Sequence, residues 1–215
     1  DIDKLLHERL YEARPGYGWL SEESDEQARD ADRVWVVDPI DGTRAFIQRK
    51  PEFTVCAALV EQGRPVAAAV FNPATGEMYE ALAGGGARLN DKPIRASARP
   101  NLAGARLLAS QRTFERNRWI EQTPGASFKY MNSIAYRMVR VAAGDFEAAI
   151  STTPKSDWDI AAAHLILEEA GARSTTINGD ELDFTTLGNR HPSVLAAAPG
   201  VHDQLVEMLK GKEQS

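Results

Sequence analysis

The sequence predicts a mixed α/β (α+β) fold, and three observations predict it. Val34-Trp35-Val36-Val37 is a short, wholly apolar run rich in β-branched residues, the pattern of a strand buried on both faces. From Thr54 to Ile94 short apolar stretches are cut by turn residues at Gln62-Gly63, Pro73-Ala74-Thr75-Gly76, Gly84-Gly85-Gly86 and Asn90-Asp91, which reads as an antiparallel meander. After Pro100 the pattern changes to alternating helices and strands.

In chain order, Ile2, Leu5, Leu6 and Leu10 share one helical face, and Pro15-Gly16 with Gly18 ends that helix, whose apolar stripe predicts packing on a core. The Val34–Val37 strand ends at Asp38-Pro39. Beyond the meander, helices are expected at about 132–143, 158–170 and 201–210 and strands at about 145–151 and 193–199. The change of pattern predicts two halves, 1–100 with the antiparallel strands and 101–215 with alternating elements. The tail from Gly211 to Ser215 reads as frayed.

At 215 residues and 43% hydrophobic content the chain can bury a substantial core, which argues against disorder. Asp1-Ile2-Asp3-Lys4 opens an amphipathic pattern and not the basic-then-apolar pattern of a signal peptide. No stretch approaches the ~20 apolar residues of a membrane span. A single cysteine, Cys56, allows no internal disulfide and reads as a small buried hydrophobe, so a reducing, cytoplasmic setting is expected. The net charge of −6 argues against a nucleic-acid-binding surface. Eight acids and two bases lie between Ser21 and Asp41. Residues 25–32 read as a solvated acidic loop, but Asp38 and Asp41 follow an apolar strand.

Trp35-Val36-Val37-Asp38-Pro39-Ile40-Asp41-Gly42-Thr43 delivers two carboxylates, three residues apart, into a turn. Pro39 holds Asp38 extended and Gly42 permits the tight turn. Asp38, Asp41 and the Ile40 carbonyl can then converge on one point, and hard oxygen ligands of this kind suit Mg²⁺ better than zinc. A helical turn starting at Thr43 would aim the N–H groups of Gly42 and Thr43 at the same point, setting an anion site beside a cation site. The spacing does not fit an EF-hand loop, nor the Asp-x-Asp of haloacid-dehalogenase-type phosphatases. Alone, Asp-x-x-Asp-Gly is equally a capped turn, Asp159 in Asp157-Trp158-Asp159-Ile160-Ala161-Ala162-Ala163 an ordinary acid in a first helical turn, and Leu20-Ser21-Glu22-Glu23-Ser24 an exposed acidic loop.

Taken together and in this order, the three segments resemble the inositol monophosphatase family: Glu22-Glu23 after an apolar stretch, Trp35 to Thr43, and Trp158 to Ala162 ahead of Glu169-Ala170-Gly171. The resemblance continues through Pro51-Glu52-Phe53-Thr54-Val55, Gly84-Gly85-Gly86-Ala87 with Asn90, and Ser133-Ile134-Ala135-Tyr136. It implies a layered αβαβα sandwich and a lithium-sensitive phosphatase of small phosphate monoesters with two or three Mg²⁺ ions. By the resemblance Glu22, Asp38, Ile40 through its carbonyl, Asp41 and Asp159 would bind metal, while Glu23 and Thr43 would orient the attacking water. Small phosphorylated metabolites would be the substrates and a homodimer the assembly. Other members carry a helical segment upstream of the point where this chain begins.

Two departures bear on substrate. Gly42-Thr43-Arg44-Ala45-Phe46 stands where Gly-Thr-x-Asn-Phe is commoner, so Arg44 is either a phosphate contact or a solvent-facing residue. Thr152-Thr153-Pro154-Lys155-Ser156 stands where inositol-cleaving members carry a glutamate, so Lys155 either meets a second anionic group, as in the 3′(2′),5′-bisphosphate nucleotidase branch, or is a pendant lysine. Inositol monophosphate and 3′(2′),5′-bisphosphate nucleotides are the expected substrate classes, with histidinol phosphate or a non-catalytic regulatory role as alternatives. The four histidines show no metal-ligand spacing, His164 reads as a packing residue, and the triple glycine reads as a turn.

Overall fold

The computed structural model describes residues 2–24 and 31–212. Residues 25–30 of the expected acidic loop and residues 213–215 of the expected frayed tail lie outside the described residues. Helix α1 (Ile2–Ala13) leads into β1 (Gly18–Ser21), which runs parallel to β2 (Arg33–Asp41). Helix α2 (Thr43–Ile47) follows directly. Strands β3 (Thr54–Glu61), β4 (Arg64–Asn72), β5 (Glu77–Leu82), β6 (Gly86–Leu89) and β7 (Lys92–Pro93) then form the expected meander, and β1 to β7 make one seven-stranded sheet in sequence order.

The remaining elements are β8 (Arg106–Leu108), α3 (Gln111–Arg116), a short helical turn (Trp119–Gln122), β9 (Ser127–Lys129), α4 (Ile134–Ala142) and β10 (Ala148–Ser151). They continue through β11 (Lys155–Ser156), α5 (Asp157–Glu169), β12 (Arg173–Thr175), β13 (Arg190–His191), β14 (Val194–Ala197) and α6 (Pro199–Leu209). A five-stranded sheet runs β12-β14-β10-β8-β9, with β8 parallel to β9 and β10 and the other pairs antiparallel. A small antiparallel pair joins β11 to β13.

These pieces stack in five layers, α1, the larger sheet, α4 with α5, the smaller sheet, and α6, which is the layered αβαβα arrangement. The sandwich follows from burial periods. In β3, Thr54, Cys56, Ala58 and Val60 are buried while the alternate residues are half-buried, so one face of the large sheet points inward. Helix α5 meets that face. Ile160, Ala161, Ala162, Ala163, Leu165, Ile166 and Leu167 are all buried, because a helix apolar all round must lie between two layers. Ile177, Leu195, Ala197, Val201 and Leu205 form a second core between the smaller sheet and α6.

One expectation needed correction. The α1 helix forms, but none of its residues is fully buried, and Leu5 is 54% exposed. Its stripe lies on the outer face of the large sheet, with Leu10 beside Trp35, and not on the core. In β2, by contrast, Val34, Val36 and Val37 are buried and Trp35 is half-buried, so that strand is covered on both faces as expected. The Gly84–Gly86 turn has a side-chain reason: both oxygens of the Glu169 carboxylate accept from it, from the Gly84 and Gly86 N–H groups at 2.7 Å each.

Candidate metal centre

The centre is built where β2 loses its regular register between Asp38 and Asp41. The Asp38 carboxylate accepts from the Ile40 N–H at 2.9 Å, a local turn that spans Pro39 and directs Asp38 and Asp41 to the same side. Gly42 then adopts φ 91° and α2 begins at Thr43, with Ala45 donating to the Gly42 carbonyl at 2.8 Å. The Thr43 hydroxyl donates to the Ile40 carbonyl at 3.1 Å.

Asp159 arrives from the first turn of α5, held by the Ser156 N–H, which donates to its carboxylate at 2.7 Å. Asp38, Asp41 and Asp159 each present a carboxylate oxygen, and these three oxygens lie within 4.8 Å of one another. Glu22 reaches the cluster at its rim. Its side chain contacts Asp38 and feels the charges of Asp159 and Glu23, while the residue as a whole is exposed. Glu23, Thr43 and Arg44 are exposed beside it.

All four acids resist ionisation. Burial, followed by the charges of Asp41, Glu22 and Asp159, pushes the Asp38 carboxyl well above the ordinary aspartate range. Burial and the Asp159 charge raise Asp41 against the opposing pull of its hydrogen bonds from Ser133 and Ala135. Asp159 and Glu22 are raised as well, burial being the largest cause in each. A donor set made wholly of oxygens, crowded and mutually repelling, fits a hard divalent cation.

Asp41 has a support that sequence reasoning missed. Its Oδ2 accepts from the Ser133 hydroxyl at 2.5 Å and from the Ala135 N–H at 2.7 Å. Ser133 also caps α4 by accepting from the Tyr136 N–H at 2.9 Å. Because the Ser133 proton goes to Asp41, Thr54 must donate to Ser133 across 3.2 Å, and the Cys56 thiol in turn to Thr54. The serine ahead of the apolar run at 134–142 was a legible cap signal; that it also grips Asp41, 92 positions away in sequence, was not.

Asp157 and Asp159, two residues apart, play different parts. Asp157 is fully buried, and its carboxylate accepts from the Gly188 and Asn189 N–H groups at 2.7 and 3.1 Å and pairs with His191 at 2.8 Å. It anchors the start of α5 to the loop before β13. Three cations border the acids: Lys155 and Arg190 near Asp159, and Arg137 near Asp41. Arg137 and Arg190 were not singled out in the sequence, although an arginine in the apolar stripe of α4 was a visible anomaly.

The family model for the inositol monophosphatase family matches residues 1–212. The chain belongs to the inositol monophosphatase family. Among its relatives, an inositol-1-monophosphatase of Rhizobium meliloti is 37% identical over 202 residues, covering 88% of this chain and 76% of that one. The Nus factor SuhB of Pasteurella multocida is 31% identical, covering 98% and 81% of the two chains. The solved structure of the extragenic suppressor protein suhB from Bartonella henselae superposes with TM-score 0.85 at 30% identity, covering 98% and 82%. A structure of 2′AMP-bound SaIMPase-II matches with TM-score 0.84 at 25% identity, covering 96% of this chain and 80% of that one. The same SaIMPase-II is also solved with inositol monophosphate bound. Among the described residues no helix is long and apolar enough to cross a membrane.

Proposed function

We propose that this chain is a Mg²⁺-dependent phosphatase that hydrolyses a small phosphate monoester, of the inositol monophosphate or 3′(2′),5′-bisphosphate nucleotide class, without a covalent intermediate. One observation carries the reading: three carboxylates from two distant segments, with Glu22 at their rim, crowd into one site that a divalent cation would neutralise. Glu22, Asp38, Asp41, Asp159 and the Ile40 carbonyl would hold two or three ions. Bound Mg²⁺ supplies Lewis-acid activation of water and neutralisation of phosphate charge.

The chain's own residues do the rest. The Thr43 hydroxyl has its proton committed to the Ile40 carbonyl, so its oxygen is free to accept a hydrogen bond from the attacking water, with Glu23 taking the water's proton. The Gly42 and Thr43 N–H groups and Arg44 meet the phosphate oxygens. Ser133 and the Ala135 N–H hold Asp41 in place. A small phosphorylated metabolite is the partner, in a cytoplasmic protein able to act as a homodimer.

Phosphate release from inositol 1-phosphate, adenosine 3′,5′-bisphosphate and histidinol phosphate, with and without Mg²⁺ and with added Li⁺, tests this. Mg²⁺-dependent, Li⁺-inhibited release is expected, and the preferred ester names the branch. A second reading, a regulatory protein, is favoured by the relatives named Nus factor SuhB. No release from any ester favours it over the phosphatase, and release that needs no metal overturns the Mg²⁺-dependent mechanism.

A further inference from the structure

The inward face of β3 is apolar at Ala58 and Val60 but carries a hydroxyl and a thiol at its other end, Thr54 and Cys56. Both are buried, Thr54 completely, and the register between β2 and β3 sets Thr54 opposite Asp41 and Cys56 opposite Asp38. The bonds of Thr54 run to Ser133 at 3.2 Å and to Cys56 at 3.5 Å. Thr54 thus stands one bond behind the residue that grips Asp41.

A hydroxyl has one proton and two lone pairs, and at Ser133 all three are used. The proton goes to Asp41 Oδ2 at 2.5 Å, one lone pair takes the Tyr136 N–H at 2.9 Å, and the other takes the Thr54 hydroxyl. Thr54 points its proton this way because its other partner, the Cys56 sulfur, is a weak acceptor. Asp41 Oδ2 then holds two donors, Ser133 and the Ala135 N–H at 2.7 Å, while among the described residues Oδ1 accepts from none.

We propose that Thr54 is a positioning residue for the metal centre and acts through Ser133: the hydrogen bond it gives fixes the Ser133 side chain and polarises its O–H toward Asp41, which ties down Oδ2 and leaves Oδ1 for the cation. The proposal rests on the metal-centre reading of the acids. Hydrogen bonds in series strengthen one another, and the groups that orient a ligand govern metal affinity along with the ligand itself. Thr54 belongs to an interior strand of the large sheet and Ser133 to the start of α4, so the chain of bonds clamps the Asp41 turn between two layers. Packing alone would be served as well by a valine of the same shape.

Calorimetric titration of the full chain with Mg²⁺ tests this in three variants. Thr54→Val keeps the shape and loses the donor, and its Kd for Mg²⁺ should rise about three- to tenfold. Thr54→Ser and Thr54→Cys both lack the methyl group and differ in the donor alone. Thr54→Ser should stay within about twofold of the parent, and Thr54→Cys, with its weaker S–H donor, should bind Mg²⁺ less tightly than Thr54→Ser. A purely structural role predicts another pattern, a lower thermal midpoint in chelator with Mg²⁺ affinity unchanged, and that pattern overturns the proposal. Equal loss of affinity in Thr54→Ser and Thr54→Val overturns it too. If Thr54→Val does not fold, the other pair decides: weaker binding in Thr54→Cys than in Thr54→Ser supports the proposal, and equal binding overturns it. A parent chain that takes up no Mg²⁺ overturns the metal-centre reading and the proposal together, whereas parental affinity in Thr54→Val removes the proposal alone.

Discussion

Gly42 shows how closely single atoms define the centre. Its φ is 91°, and a Cβ there would lie 2.8 Å from the Glu52 carbonyl oxygen and 3.1 Å from the Ser133 Cβ. Gly42→Ala should therefore cost about 1–3 kcal/mol, read as a thermal midpoint lowered by ~2–4 °C for each kcal/mol; an unchanged midpoint would mean the turn can open without penalty. Ser133→Ala removes the α4 cap, one of two donors to Asp41 and the acceptor for Thr54, so it should cost about 1–3 kcal/mol in denaturant unfolding. At this scale Asp38, Asp41 and Asp159 were legible in the sequence, because strand-end and helix-start patterns mark where such side chains emerge. Ser133, Thr54 and Arg137 were not, since their roles come from contacts between segments that no local period encodes. Glu22 was named by the family resemblance and not by a local pattern; it is an exposed residue whose side chain contacts Asp38 at the rim.

Helix α5 is the element on which the geometry depends. Its start carries Asp159 toward the acids and Asp157 away from them, the latter holding the Gly188 and Asn189 N–H groups and His191. Asp157→Ala would leave the buried His191 ring without its partner and the Gly188 and Asn189 N–H groups to water, and should cost about 1–3 kcal/mol. Asp157→Asn keeps one acceptor and should cost less. Urea unfolding of the two variants separates these values, and equal losses would argue that helix packing, not the buried pair, fixes the start of α5. The helix was legible from its apolar run through Ile166 to Gly171, and so was the antiparallel meander from its turn residues. Strands β8, β9 and β12 were not, each being three residues long and too short to show a period. The outward position of α1 was not legible either, because an amphipathic stripe states that a face will be covered without stating by which surface.

For the whole molecule, the crowded acids make folding, pH and metal one linked equilibrium. The carboxyls of Asp38, Asp41, Asp159 and Glu22 are all raised, so the folded chain holds protons that the unfolded chain gives up. Their contribution is therefore fully present below the ordinary carboxylate range near ~4 and is lost as pH rises through the raised values. Glu77 and Glu147, held low by hydrogen bonds from Thr75 and from Arg106 against the penalty of burial, act in the opposite sense and lose their stabilisation in acid. The difference between melting curves with and without Mg²⁺ separates the two sets, because the cation acts on the first. In chelator the melting temperature should fall as pH rises from 5 toward 8. A Mg²⁺ concentration near 100 times its Kd should restore ~2.7 kcal/mol, or roughly 5–10 °C at this chain length. The restoration should grow with pH, since a cation competes with protons for the same oxygens. Asp38→Asn removes one of the repelling charges and one ligand together. It should melt higher than the parent chain in chelator, gain little from Mg²⁺, and release no phosphate. A variant that melted lower in chelator and still gained fully from Mg²⁺ would place the cation elsewhere and separate the acid cluster from metal binding altogether.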